Sequence, residues 1–341
     1  MRGLLDNRPF KLIAGLATAL ALIVVVLGAY VRLSDAGLGC PDWPGCYGEL
    51  FMSDSGRHAE IAAQSGYDRP YEHDKAWKEM AHRYLAGSLG LLILAMAVLG
   101  WRYRALPGQP CKVPLLLVGL VIFQSALGMW TVTLLLKPAV VTLHLLGGMS
   151  VLALIWWSFL RTPSPAGPPL ATRADSDRRI TPLAVLALVV IAAQITLGGW
   201  VSTNYAALIC ADLPTCQGQW WPPMDFADGF TFWRGLGVDY EYGVLGPEAM
   251  TAVHVSHRIG AVVTLLVVGA VAARVMIRGS LALRQSAIAL LLLLLLQLAL
   301  GVANIVWMLP LPLAVAHNAG AALLLLAAVT LLHQTTARGD R

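Results

Sequence analysis

Charge is what this chain of 341 residues has least of. Asp, Glu, Lys and Arg make up 13% of it, against 57% hydrophobic residues. A soluble domain carries roughly 25% charged and about 45–50% apolar residues, so a wholly water-facing fold is excluded and the surplus must meet lipid. A small-residue cleavage site is also missing after the first apolar run, although Arg2, Arg8 and Lys11 precede it as in a secretory leader. That run is too long for a leader's apolar core, so a retained membrane span is expected. Cysteine is scarce too, with five in all, four of them in two Cys-x5-Cys pairs.

What is present in abundance is long apolar sequence. A bilayer crossing needs about 20 such residues, and eight runs qualify: 11–30, 80–100, 114–136, 139–160, 181–204, 250–276, 285–309 and 312–333. With the N-terminus inside, the inner segments hold Arg2, Arg8, Lys11, Arg102, Arg104, Lys112, Arg161, Arg173, Arg178, Arg179, Arg274, Arg278, Arg284, Arg338 and Arg341. The outer loops collect acids, including Asp35, Asp42, Asp54, Asp212, Asp225 and Glu241. This is the positive-inside asymmetry, and an even number of spans returns the C-terminus to the cytoplasm. The net charge of +5 therefore reports topology rather than a nucleic-acid partner. Cys40, Cys46, Cys210 and Cys216 fall outside, where disulfides survive; Cys111 falls inside as a free thiol.

The chain also repeats itself. LGAYVRLSDAGLGCPDWPGCYGEL (27–50) is echoed by LGGWVSTNYAALICADLPTCQGQWWP (197–222), HRYLAG (82–87) by HRIGAV (257–262), and TLHLLGG (142–148) by AVAHNAG (314–320). His82 and His144 are 62 residues apart, His257 and His317 60 apart. QSALG, QITLG and QLALG recur at 124–128, 194–198 and 297–301. The expected fold is an all-α integral membrane protein of two repeated four-helix bundles, residues 1–160 and 181–341. They are joined by a Pro-, Ala- and charge-rich cytoplasmic linker at 161–180. Equivalent spans run in the same direction, so the copies are related by an axis along the membrane normal.

Eight histidines are present. His58, His73 and His333 are expected to be solvated or interfacial. His82, His144, His257 and His317 each lie inside the outer end of an even-numbered span, at one depth. Ionisable groups there are costly and usually functional. Zinc and copper sites add carboxylates, thiolates or further histidines. Two imidazoles from facing helices suit the two faces of a porphyrin iron. No Cys-x-x-Cys-His occurs, so attachment would be non-covalent. Gly87, Gly90, Gly147, Gly148, Gly260 and Gly320 would let a macrocycle approach, or merely let helices pack. Arg83 and Arg258, each following a ligand, are candidate partners for heme propionates or snorkel to headgroups. The copies differ at one turn: Glu79 precedes His82 where His254 precedes His257. A carboxylate beside one heme only marks one site as cofactor and one as reacting ligand, unless Glu79 pairs with Lys75 or Lys78 at headgroup level. His254 competes with His257 as the ligand.

Together, RLSDAGLGCPDWPGC, the ExxHR of Glu79–Arg83, TLHLLGG, the HR of span six and AVAHNAG resemble the heme A synthase family, in its bacterial, cysteine-containing form. The resemblance covers essentially the whole chain. It implies an oxidoreductase of the bacterial inner membrane that converts the C8 methyl group of heme O to a formyl group by successive hydroxylations. It implies a resident heme b on His257 and His317, the substrate heme on His82 and His144, and Glu79 near the chemistry. Heme O synthase would act upstream, and cytochrome oxidase or its assembly factors downstream. A membrane electron donor and a homo-oligomer are compatible with it. A di-heme b-type relay from quinol and a heme transporter or chaperone are the rival readings. Cys40–Cys46 and Cys210–Cys216 are expected as disulfide clips, each worth about 2 kcal/mol, with a redox role left open for the first.

Overall fold

The computed structural model describes residues 7–52, 55–64, 69–162 and 180–336. Most of the linker expected at 161–180 lies outside this set, as do Arg2, Asp54, Arg173, Arg178, Arg179, Arg338 and Arg341. Among the described residues the chain is all-helical: α1 Arg8–Leu33, α2 Ser55–Gln64, α3 His73–Arg102, α4 Lys112–Thr133, α5 Pro138–Arg161, α6 Thr181–Thr203, α7 Phe226–Gly229, α8 Pro247–Arg278, α9 Leu281–Val306 and α10 Leu311–Thr336. Eight of these, all but α2 and α7, are long and apolar enough to cross a membrane. Even the shortest, with 22 residues, exceeds a hydrocarbon core of about 30 Å at ~1.5 Å per residue.

Local chemistry explains where these helices start and stop. Proline stands in the first turn of α1, α5, α6 and α8, where its missing N–H has no helical partner to lose. Arg102, Arg161 and Arg278 occupy the last turns of α3, α5 and α8, complementing the negative end of the dipole and anchoring it among headgroups. The largest departure from the expected boundaries is at the start of α3, which begins at His73 rather than 80. α8 begins at Pro247, and the two helices, of 30 and 32 residues, project beyond the apolar runs. The helix α2 in the loop between α1 and α3 is an addition to the expected spans, because SGRHAEIAAQ is too short and polar to resemble one.

α1 packs on α3 and α5, and α4 joins α3 to α5; likewise α6 packs on α8 and α10, and α9 joins α8 to α10. α1, α5, α6 and α10 meet in the middle. Ala14, Ala17 and Ala21 line the buried face of α1, and Ala184 and Ala187 that of α6. Small side chains let backbones approach where lipid offers no hydrophobic drive between helices. Large apolar residues such as Leu91, Leu116, Ile122, Val189 and Leu266 point outward, as expected for lipid-facing positions.

The loops at the clip end are tied across this seam. Arg69 pairs with Asp239 at 2.5 Å and with Glu241. Lys137, almost fully buried, donates to the Gly235 carbonyl and lies 3.3 Å from the Trp233 ring centroid. Arg32 donates to the Ser202 carbonyl at 2.9 Å and covers the Tyr205 ring.

Candidate functional site

Two loops of matching form cap the C-terminal ends of α1 and α6. Disulfides join Cys40 to Cys46 and Cys210 to Cys216. Trp43–Pro44 and Leu213–Pro214 are both cis. Asp42 accepts from the Tyr47 and Gly48 amides, each at 2.7 Å. Asp212 accepts from Gln217 at 2.7 Å and Gly218 at 3.0 Å. These amides converge because the chain turns left-handed there, at φ +79° for Gly48 and +74° for Gly218, a conformation glycine adopts without steric cost. Hydrogen bonds from the Thr215 hydroxyl and the Gly218 amide hold the Asp212 carboxyl down at about 2.

The arginine after each first histidine reaches up into its clip. Arg83 donates to the carbonyls of Asp42 at 2.9 Å and Gly45, and to Glu79 at 2.5 Å. Arg258 donates to the carbonyls of Thr215 at 2.8 Å and Cys210 at 2.6 Å. Snorkelling does not describe Arg83, whose side chain is 13% exposed. Loop carbonyls thus engage one terminal nitrogen of Arg83 and both of Arg258, while the Arg258 Nε is buried without a partner among the described residues.

Beneath the clips stand the four intramembrane histidines, all half-buried. His144 lies within electrostatic reach of His82, and His257 of His317 and His254. Each ring rests on a glycine of a neighbouring odd-numbered span. A Cβ at Gly28 would lie 2.9 Å from His82 Cε1, at Gly198 3.1 Å from His257, and at Gly128 and Gly301 3.3 Å from His144 and His317. Any side chain at these positions would displace the imidazole. Among the described residues the Nδ1 atoms of His82, His144 and His317 are buried without a well-formed hydrogen bond. Among the described residues no three His, Cys, Asp or Glu side chains gather as a metal site. Paired imidazoles with no third protein donor fit an iron that brings its own equatorial ligands, as a porphyrin does, and not a closed zinc site.

The two sites differ at the turn below the clip. Glu79 is 5% exposed; its carboxylate accepts from the Cys40 amide at 2.9 Å and from Arg83. It pairs with neither Lys75, which bonds Glu72 at 2.8 Å, nor Lys78, which lies over Tyr30. His254, at the corresponding place and 4% exposed, bonds through Nδ1 to the Ala206 carbonyl at 2.9 Å. That bond sets the Nδ1–H tautomer and leaves Nε2 buried without a partner among the described residues.

A family model described as cytochrome oxidase assembly protein matches residues 11–329. The chain belongs to this family. It is 45% identical over 310 residues, 91% of its own length and 92% of the relative's, to the heme A synthase of Shewanella oneidensis. The heme A synthase of Halalkalibacterium halodurans is 28% identical over 67% of this chain and 71% of its own. That of Rhizorhabdus wittichii is 27% identical over 92% and 90%.

Several expectations about side chains need correction. His58 is fully buried and 3.3 Å from Glu49, not solvated, because α2 folds back over the first loop. Gly147, Gly260 and Gly320 make room for the side chains of Gln124, Gln194 and Gln297, so they do not stand open to a macrocycle, and Gly148 also adjoins Gln124. Gly87 and Gly90 do face open space. The cradling glycines Gly28, Gly128, Gly198 and Gly301 are additions from the structure, although the recurring Leu-Gly of the odd spans is their visible sign.

Proposed function

We propose that this membrane enzyme is a heme A synthase, an oxidoreductase that converts the C8 methyl of heme O to the formyl group of heme A. The observation that carries this reading is the 45% identity to such an enzyme over 91% of the chain, joined to the paired histidines. The protein sits as a multi-pass protein in the bacterial cytoplasmic membrane with both termini inside. Residues 1–160 and 181–341 are two copies of one four-helix unit, a reading supported by their matching helix neighbours and matching clips.

In this reading His82 and His144 hold the substrate heme, and His257 and His317 hold a resident heme b, which supplies one-electron transfer. His257 rather than His254 is the ligand, because its ring shares a glycine cradle with the other three while His254 is turned to Ala206. Glu79 is the residue beside the chemistry, a buried carboxyl held against the Arg83 guanidinium. Oxidation of a methyl to a formyl group removes four electrons from the substrate, in keeping with a one-electron carrier in the second half. Arg83 and Arg258 serve first to hold the clips over the sites, and the free Nε of Arg258 is the stronger propionate candidate. Heme O synthase delivers the substrate, and cytochrome oxidase or its assembly factors take the product.

Expression with a heme O synthase, followed by heme extraction and chromatography, tests this. Heme b together with heme O or A is expected. Two heme b per chain, with no heme A formed, would instead mark an electron relay.

A further inference from the structure

Three of the four histidines share a device that the fourth lacks. Four residues before their cradling glycines, α4, α6 and α9 carry Gln124, Gln194 and Gln297. Each amide nitrogen donates across to the backbone carbonyl of the facing histidine: Gln124 to His144, Gln194 to His257 at 3.1 Å, and Gln297 to His317 at 2.8 Å. The Gln194 amide also lies 3.1 Å from His257 Nδ1. Each glutamine Oε1 is buried with no hydrogen-bond partner among the described residues. It fills the space in front of the glycine three residues beyond the histidine, Gly147, Gly260 or Gly320.

At His82 both halves of the device are replaced together. Val24 stands four residues before Gly28, and Leu85 three residues after His82; both pack in one apolar cluster. An unsatisfied buried amide oxygen is destabilising, so three glutamines in this state are not explained by stability. A bond to the carbonyl of the ligand-bearing residue ties that turn to its neighbour and sets the height and rotation of the imidazole. The His82 ring faces the Val24 backbone as the His144 and His317 rings face those of Gln124 and Gln297, but Val24 has no side-chain amide with which to hold the His82 carbonyl.

From this geometry we infer that Gln124, Gln194 and Gln297 are positioning residues that lock His144, His257 and His317. The replacement of the glutamine and glycine by Val24 and Leu85 then makes His82 the one releasable ligand. The site holds its heme firmly from the His144 side and opens on the His82 side. This rests on the assignment of the first pair to the substrate, which must enter and leave while the resident heme stays.

The test is the rate at which purified full-length protein gives up heme to excess apomyoglobin, whichever hemes it carries. Two phases are expected in the wild type, the faster from the His82 site. Building the lock with V24Q/L85G should slow the fast phase about tenfold, the worth of roughly one hydrogen bond. Removing it with Q297V/G320L should speed the slow phase by a similar factor and shift the low-spin ferric EPR signal of that heme, as a rotated imidazole requires. Unchanged phases and EPR in variants that retain both hemes would overturn the inference. Should V24Q/L85G not assemble, Q297V/G320L decides alone, and an unmoved slow phase overturns it. Extraction of the wild-type hemes separately reports whether the enzyme reading fails.

Discussion

The two clips differ less than what lies beneath them. Each has a six-residue-spaced disulfide, a cis proline, an aspartate gathering two amides and an arginine from the helix below. Under the first, the buried group is Glu79, an acceptor for the Cys40 amide; under the second it is His254, facing the Ala206 carbonyl. The same scaffold thus presents a buried carboxyl against an arginine on one side and a buried imidazole against a carbonyl on the other. The lesson is that backbone geometry is retained where it shapes the site, while a single buried position sets its electrostatics.

The sharpest way to break that comparison is to remove a ligand from each half. His257→Ala should empty the second site of heme, a loss beyond the ~10–100-fold typical of outer-sphere partners, while His254→Ala should leave heme b in place. His82→Ala should retain heme b yet abolish heme A accumulation. Pyridine hemochrome spectra and heme chromatography read all three, and heme b surviving in His257→Ala would sink the ligand assignment.

Next in size is Glu79→Ala. It leaves the Cys40 amide and Arg83 without their buried acceptor, and breaking such a pair is worth about 3–5 kcal/mol. Thermal unfolding in detergent should show the loss, and His254→Ala should show much less. Removing each disulfide follows. C40A/C46A and C210A/C216A should each cost about 2 kcal/mol; if only the first also abolishes heme A formation with heme b intact, that pair has a redox role.

The smallest effect concerns pH. Asp212 sits below the ordinary carboxylate range, at about 2, so its contribution to the second clip is complete above about pH 4. It is lost as pH falls through about 2. Amide exchange at Gln217 and Gly218 should quicken over that window, and Asp212→Asn should abolish the dependence.

Much of this is legible in advance. Apolar length and the distribution of Arg and Lys mark the eight spans, since a bilayer imposes length and polarity on any crossing segment. The repeated spacing singles out His82, His144, His257 and His317. The start of α3 is harder to place because hydropathy registers lipid contact, whereas a helix continues past the bilayer wherever packing supports it. His58 escapes for a similar reason: a polar loop carries no periodic signal of the fold-back that buries it.

The sequence by itself determined the class of membrane protein, the placement of the histidines on even-numbered spans and the spacing of the cysteines, all of which depend on position along the chain. Only the tertiary structure decided which partner each buried group takes. Arg83 turned to clip carbonyls and Glu79 rather than outward, and three glutamines met the carbonyls of histidines on other helices while Val24 and Leu85 joined one apolar cluster. Such pairings depend on the rotation and height of one helix against another, set by packing of side chains far apart in the chain.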